Sequence, residues 1–201
     1  MKDYEAIKAL LNESNGFLTA SQVTAAGIQR RTLSELVAAK LVCRVARGIY
    51  ALPETWEDEM FLIQYRFSKG IFSHGTALYL HDLSDRTPIN FTLTFPQGYN
   101  ATGLKRYNAK AKFVIPDIYN IGITERPSPI GNPLHVYDAE RTLCDIVKGK
   151  NALDIQLVNH AMKAYVKSKS IDMQKLLAYA ERLRVKPKIL RYMEVLLTSF
   201  I

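Results

Sequence analysis

Residues 19–52 read TASQVTAAGIQRRTLSELVAAKLVCRVARGIYAL, and the order of elements in this stretch decides the fold of the N-terminal part. Thr19 and Gln22 have the T-x-x-Q spacing of a capping box, in which each side chain satisfies a backbone donor left free at a helix start. The box predicts a short helix that stops at Gly27, because a left-handed residue closes a helix end most easily as glycine. A longer helix is predicted over residues 29–40. The 3.6-residue repeat lays Leu33, Leu36, Val37 and Lys40 along one side of it, with Leu41 continuing that side. Residues 41–45 and 49–52 are apolar, strand-like runs on either side of the turn Ala46-Arg47-Gly48. Helix, tight turn, helix and two-stranded hairpin make the outline of a winged helix-turn-helix domain.

The charges of the stretch point the same way. From Ile28 to Leu52 the basic residues Arg30, Arg31, Lys40, Arg44 and Arg47 face one acid, Glu35. Opposite its apolar side, the 29–40 helix shows Arg31, Ser34, Glu35 and Ala38, flanked by Arg30 and Thr32. Small residues at 34, 38 and 39 allow close approach to a groove floor. Base contacts come from the first turns of a recognition helix, where two arginines stand. One arginine bonding guanine O6 and N7 together is worth roughly 1–3 kcal/mol of discrimination. Arg44 and Arg47, near the hairpin tip, suit phosphates or a narrow minor groove. The expected DNA-binding set is Gln29, Arg30, Arg31, Thr32, Ser34, Arg44 and Arg47. Two readings compete with it: a solvated helix carrying an Arg31–Glu35 pair, and a winged helix that binds only protein.

Upstream, Asp3 is placed to cap a helix over residues 4–14 with Ala6, Ile7, Leu10 and Leu11 on one face, ended by Gly16. Downstream, Pro53-Glu54-Thr55 reads as a boundary, giving domains 1–52 and 53–201. Thr55 is expected to cap a helix over 56–69. Its apolar residues, Trp56, Met60, Phe61, Leu62, Ile63, Tyr65 and Phe67, leave little polar face, so it is expected to be largely buried. Ser73 begins a further helix that closes at Asp82 and Leu83. Residues 89–95 alternate strictly and predict a half-buried strand. Strands are expected at 112–115, 121–125 and 134–137, and helices at 139–147, 153–168, 173–184 and 188–200. The fold class is α+β: an N-terminal winged helix-turn-helix followed by a larger mixed domain with a helical C-terminus. Two basic stretches, 99–112 and 182–191, read as a solvated loop or hairpin and a helix junction, with nucleic-acid contact the alternative for each.

The chain has 201 residues, a formal net charge of +8 and a hydrophobic content of 48%. Residues 1–52 hold seven Lys/Arg against four Asp/Glu, a balance of +3, which leaves +5 for residues 53–201. The excess suits a polyanionic partner. Cys43 and Cys144 form no C-x-x-C pair, which argues against a disulfide scaffold or a zinc site and fits a reducing cytoplasm. No apolar run approaches the ~18 residues of a membrane span, so neither a membrane partner nor a secretory address is expected.

No catalytic constellation emerges, and neither a metal nor another cofactor is expected. His74 and His81 lie seven apart on one helix, about 10.5 Å at 1.5 Å per residue, too far to share one ion. The phosphate-loop, zinc-protease and nucleophile-elbow patterns are missing. Asp138, Glu140 and Asp145 are the best set for a magnesium-dependent nuclease. A structural reading suits them better: Asp138 caps a helix, Arg141 and Asp145 pair one turn apart, and Leu143, Ile146 and Val147 turn the other face inward. His135 and His160 stand alone.

With these features in order, the chain resembles the AbiEi family of antitoxin-regulators from bacterial abortive-infection toxin–antitoxin systems. The resemblance rests on the helix-turn-helix with Arg47-Gly48-Ile49-Tyr50 closing the wing, on Ser73-His74-Gly75-Thr76-Ala77-Leu78, on the strand at 91–95 and on Tyr137-Asp138-Ala139-Glu140-Arg141-Thr142-Leu143-Cys144-Asp145. It implies a cytoplasmic, non-enzymatic phage-defence protein whose winged helix represses its own operon by binding inverted repeats in double-stranded promoter DNA. It also implies a C-terminal domain that neutralises a nucleotidyltransferase-like toxin without needing a stable complex. The alternative is a transcriptional regulator whose larger domain senses a ligand or partner and has no antitoxin role. A third reading, a DNA-processing enzyme, would use Glu140.

Overall fold

Left-handed residues close the first three helices and set the path of the chain. The computed structural model describes residues 2–149 and 153–198. Helix α1 (Lys2–Glu13) ends where Asn15 and Gly16 take φ of +51° and +83°. There the Gly16 N–H donates to the Leu11 carbonyl at 2.7 Å. Helix α2 (Ala20–Ala25) opens on the expected capping box: Thr19 Oγ1 accepts from the Gln22 N–H at 3.2 Å and Gln22 Oε1 from the Thr19 N–H at 2.8 Å. It closes at Gly27, φ +75°, with the Ile28 N–H on the Val23 carbonyl. Helix α3 (Arg30–Ala38) closes the same way with Lys40 at φ +58° and the Leu41 N–H on the Leu36 carbonyl, 3.0 Å. With the Gly27 N–H on the Thr24 carbonyl and the Lys40 N–H on the Val37 carbonyl as well, two hydrogen bonds at each of these ends satisfy carbonyls that the helix leaves free.

Strands β1 (Phe17–Thr19), β2 (Cys43–Ala46) and β3 (Ile49–Ala51) form an antiparallel sheet in the order β1-β3-β2. Phe17 lies opposite Ala51 and Thr19 opposite Ile49, while β2 shifts register between Arg44 and Ala46. Ile7, Leu11, Leu18, Val23, Leu33, Leu36 and Val42 form the core beneath the helices. Each such side chain contributes roughly 1.5–3 kcal/mol by leaving water. The apolar side of α3 is shorter than the periodicity implies. Leu41 is 41% exposed and Val42 only 1%, because left-handed Lys40 swings the chain before the strand begins.

The chain packs as two units, Met1–Leu62 with Pro129–Asn132, and Ile63–Ser128 with Pro133–Ile201. Helix α4 (Glu59–Arg66) starts later than expected. Asp58 caps it, Oδ1 accepting from the Phe61 N–H at 3.1 Å, whereas Thr55 donates to the Gly16 carbonyl instead. Trp56 therefore precedes the helix and is 84% exposed, contrary to the expected burial.

The second unit holds a five-stranded mixed sheet in the order β6-β5-β4-β8-β7. Its strands are β4 (Ile71–Phe72), β5 (Phe91–Pro96), β6 (Ala109–Val114), β7 (Ile123–Pro127) and β8 (Pro133–Tyr137). β5 runs parallel to β6 and antiparallel to β4, β4 runs parallel to β8, and β7 and β8 are antiparallel. The basic stretch 99–112 is thus a crossover connection with one 3-10 turn (Leu104–Tyr107) leading into an edge strand, not a hairpin. β5 is buried on both faces rather than one, since Thr94 is covered as well as Leu93 and Phe95. Its hydroxyl donates to Ser73 Oγ at 2.9 Å.

Helices α5 (His74–Leu80), α6 (Pro116–Tyr119), α7 (Ala139–Ile146), α8 (Ile155–Lys167), α9 (Met173–Arg182) and α10 (Lys186–Thr198) complete the unit. Leu78, Leu143, Ile146, Met162, Leu176 and Ile189 are central to its core. The last residues of the helix expected over 188–200 fall outside the described residues. The fold is mixed α+β, and the helices and sheet of residues 2–52 are compatible with a winged helix-turn-helix.

Candidate nucleic-acid interface

The side chains expected to meet DNA lie on α3 and on the β2–β3 hairpin. Leu33 and Leu36 anchor α3 in the core, which turns Arg30, Arg31, Ser34, Glu35 and Ala38 out as one exposed arc. Gln29 precedes the helix as its N-cap residue and is exposed, and its side chain makes no capping bond. Thr32 is half-buried at the edge of the arc. Its position at 200° from Arg30 puts it beside Leu36.

The two arginines are held differently. Arg30 Nε donates to Thr24 Oγ1 at 2.9 Å, which braces the side chain against α2, while Thr24 donates in turn to the Ala20 carbonyl. Arg31 Nε pairs with Glu35 Oε1 at 2.9 Å, with both side chains well exposed. The helix N-terminus adds its own partial positive charge beside them. Arg44, on β2, and Arg47, in the turn beside Gly48 at φ +81°, are exposed and carry no ion pair among the described residues. Lys40, placed by periodicity on the apolar side, is exposed as well. Thr24 was not legible as a brace, because its partner is six positions away across a turn.

The residues weighed for catalysis are tied into structure. Asp138 caps α7, its Oδ1 accepting from the Arg141 N–H at 2.8 Å. Lys175 Nζ reaches both Asp138 and Glu140, at 2.9 and 3.1 Å, and Tyr165 donates to Glu140 at 2.9 Å. Burial pulls the Lys175 ammonium down, but these bonds outweigh it and the net shift is upward. Arg141 is fully buried, with Nε on Asp145 at 2.9 Å, Nη1 on the Ile118 and Ile121 carbonyls, and its guanidinium 4.2 Å from the Tyr137 ring centre. Sequence reasoning gave α7 one inward face, yet residues 140–146 are all buried. Each of the three carboxylates already meets a cation.

His74, at φ +52°, and His81 are shifted below the ordinary histidine range, first by burial. For His74 a nearby Asp145 opposes the shift. For His81 the bond from Nε2 to the Tyr137 carbonyl, 2.8 Å, opposes it. His135 lies 3.6 Å from Glu125 and His160 4.0 Å from Asp85. Burial pushes the Cys144 thiol up to about 12, which leaves it unreactive. Among the described residues no group of three or more His, Cys, Asp or Glu could hold a metal ion, and no helix is long and apolar enough to cross a membrane.

Residues 5–53 match the family described as "Transcriptional regulator, AbiEi antitoxin". The AbiEi match begins inside α1 and ends two residues past β3, so it takes in the whole α3 arc and the hairpin. It is a family of regulators rather than of enzymes. The motifs at 73–78, 91–95 and 137–145 lie beyond the matched residues. No protein of curated function matches the chain. Among solved structures, the crystal structure of the RV2827C protein from Mycobacterium tuberculosis is similar over 98% of this chain and 81% of that chain, at 11% identity and a TM-score of 0.48.

Proposed function

We propose that residues 1–52 are a winged-helix DNA reader that represses its own operon by binding inverted repeats in promoter DNA, and that residues 53–201 form an antitoxin domain. The observation that carries the reading is the exposed arc of α3, which presents Arg30, Arg31 and Ser34 ahead of a hairpin with two arginines that carry no ion pair among the described residues, all within the AbiEi match. Arg30, Arg31 and Ser34 read base edges, with Gln29 and Thr32 at the margins. Arg44 and Arg47 meet phosphates. The functional partner is a nucleotidyltransferase-like toxin, opposed in the cytoplasm without needing a stable complex.

The test is a titration of the full chain against upstream DNA and scrambled DNA, followed by Arg30→Ala/Arg31→Ala. The double substitution is expected to abolish the preference for upstream DNA while the melting curve stays intact. Affinity should fall on the order of 10³–10⁵ between 50 and 200 mM salt if six to ten phosphates are neutralised. A preference that survives both substitutions removes α3 from the recognition role. Growth rescue on co-expression of this chain with a nucleotidyltransferase-like toxin tests the antitoxin half separately.

A further inference from the structure

Helices α8 and α10 meet the C-terminal end of α7 around a cleft of about 570 Å³. Its walls are apolar: Ile146, Val147, Val158 and Leu196 line it together with Leu153 and Ile155. Cavities of this size hold drug-sized molecules, and a few placed polar groups fix their orientation.

The charged groups that line the cleft are of one sign. Lys163, Lys188 and Arg191 line the cleft, and among the described residues no acidic side chain does. All three are exposed, so their charged ends reach water at the mouth of the cleft. Lys188 is held in place, donating to the Val147 carbonyl at 2.9 Å, with two of its three donors left over. Tyr192, half-buried on α10, adds a phenol to the same wall. An apolar cavity with a cationic mouth complements a molecule built the opposite way.

We infer that this cleft binds an amphiphilic organic anion, with an apolar chain or ring among Val147, Val158 and Leu196 and a carboxylate or phosphate head at Lys163, Lys188 and Arg191. The site lies wholly within the second unit and is independent of the DNA reading. It would give that unit a small-molecule effector.

Calorimetric titration of the full chain tests the inference with four probes of one chain length: decanoate, decyl phosphate, decanol and decyltrimethylammonium, each below its micelle threshold. Decanoate or decyl phosphate is expected to bind at one equivalent, and whichever binds more tightly identifies the head group. Decanol should bind at least ten-fold more weakly and the cation not at all. Lys163→Glu/Arg191→Glu, both at exposed positions, should weaken the anion at least ten-fold with an unchanged melting curve. Equal binding of decanol and decanoate, no binding of either anion, or full affinity in the charge-reversed variant overturns it. Val195→Glu, at a lining position that is 66% exposed, gives a second check, since an acid placed there should repel the anion without disturbing the core.

Discussion

Replacing Glu35 by glutamine is expected to tighten DNA binding by about two- to five-fold at low salt. Glu35 is the one acid between Ile28 and Leu52, and it stands on the exposed arc of α3 with Arg31 Nε 2.9 Å from its carboxylate. The pair is mostly solvated, at 84% and 61% exposure, and an exposed i, i+4 pair contributes only about 0.3–0.5 kcal/mol. Arg31 must leave it to reach a base, so removing the carboxylate returns that amount, about two-fold in affinity. The carboxylate also repels phosphates: at roughly 10 Å in water one unit charge adds about 0.4 kcal/mol. Fluorescence anisotropy with upstream DNA at about 50 mM salt measures the gain, and screening should shrink it near 150 mM, where the Debye length is about 8 Å. Glutamine keeps the shape and helix propensity, so stability should move by less than about 0.5 kcal/mol. A loss of affinity confined to upstream DNA would refute the reasoning, since it would mean that the carboxylate itself accepts a bond from a cytosine amine.

Four further outcomes are expected. Arg44→Ala and Arg47→Ala should each weaken binding to upstream and scrambled DNA alike and lower the salt slope by about 0.9, read from titrations at several salt concentrations. Arg141→Met and Asp145→Leu should each cost about 3–5 kcal/mol in urea unfolding, because each strands a buried charge. The double variant should cost at least about 2 kcal/mol less than their sum. Gly122→Ala should cost clearly more than Gly27→Ala, which is left only with the ~1–2 kcal/mol of a left-handed alanine. Both glycines have positive φ, but a Cβ at Gly122 would lie 2.8 Å from the Arg141 Cβ whereas one at Gly27 meets nothing within 4 Å. Stability should be full above about pH 6.5 and fall as pH drops below it, because the unfolded chain takes up the protons that buried His74 and His81 refuse. His74→Asn, which tolerates the left-handed backbone, should flatten the change in urea midpoint between about pH 7.5 and 5.5.

What was legible in the sequence was what neighbouring residues decide together. The Thr19–Gln22 box and the stop at Gly27 need only local spacing, and both formed as read. Leu41 and Val42 were exchanged because Lys40, not a glycine, takes the left-handed position, and lysine carries no signal for it. Thr55 and Asp58 both have capping side chains three positions apart, and sequence alone does not say which one spends its oxygen elsewhere. The two-residue strand β4 and the parallel pairing of β5 with β6 depend on partners far along the chain, beyond the reach of periodicity. Of the candidate interface, the exposure of Arg30, Arg31, Arg44 and Arg47 followed from the apolar pattern around them, while the Thr24 brace did not. The cleft joins three helices whose existence was expected, but its lining is a product of their packing.

Burial and pairing separate the cations of this chain into different jobs. Arg141 is fully enclosed, so an external anion cannot reach it even though Nη2 has no partner among the described residues, and its bonds to Asp145 and two carbonyls fix α7 in its unit. Lys175 is likewise committed to two carboxylates. Arg44 and Arg47 have the opposite surroundings, exposed and with no acid partner among the described residues, and exposed charges without partners contribute little to folding. A net charge of +8 is therefore a poor guide to where a polyanion binds until the committed cations are set aside. The distinction has an observable consequence: neutralising Arg141 should move the unfolding midpoint, and neutralising Arg44 or Arg47 should move the salt dependence of binding. If either substitution moved the other readout instead, burial and pairing would not be what assigns a cation its role here.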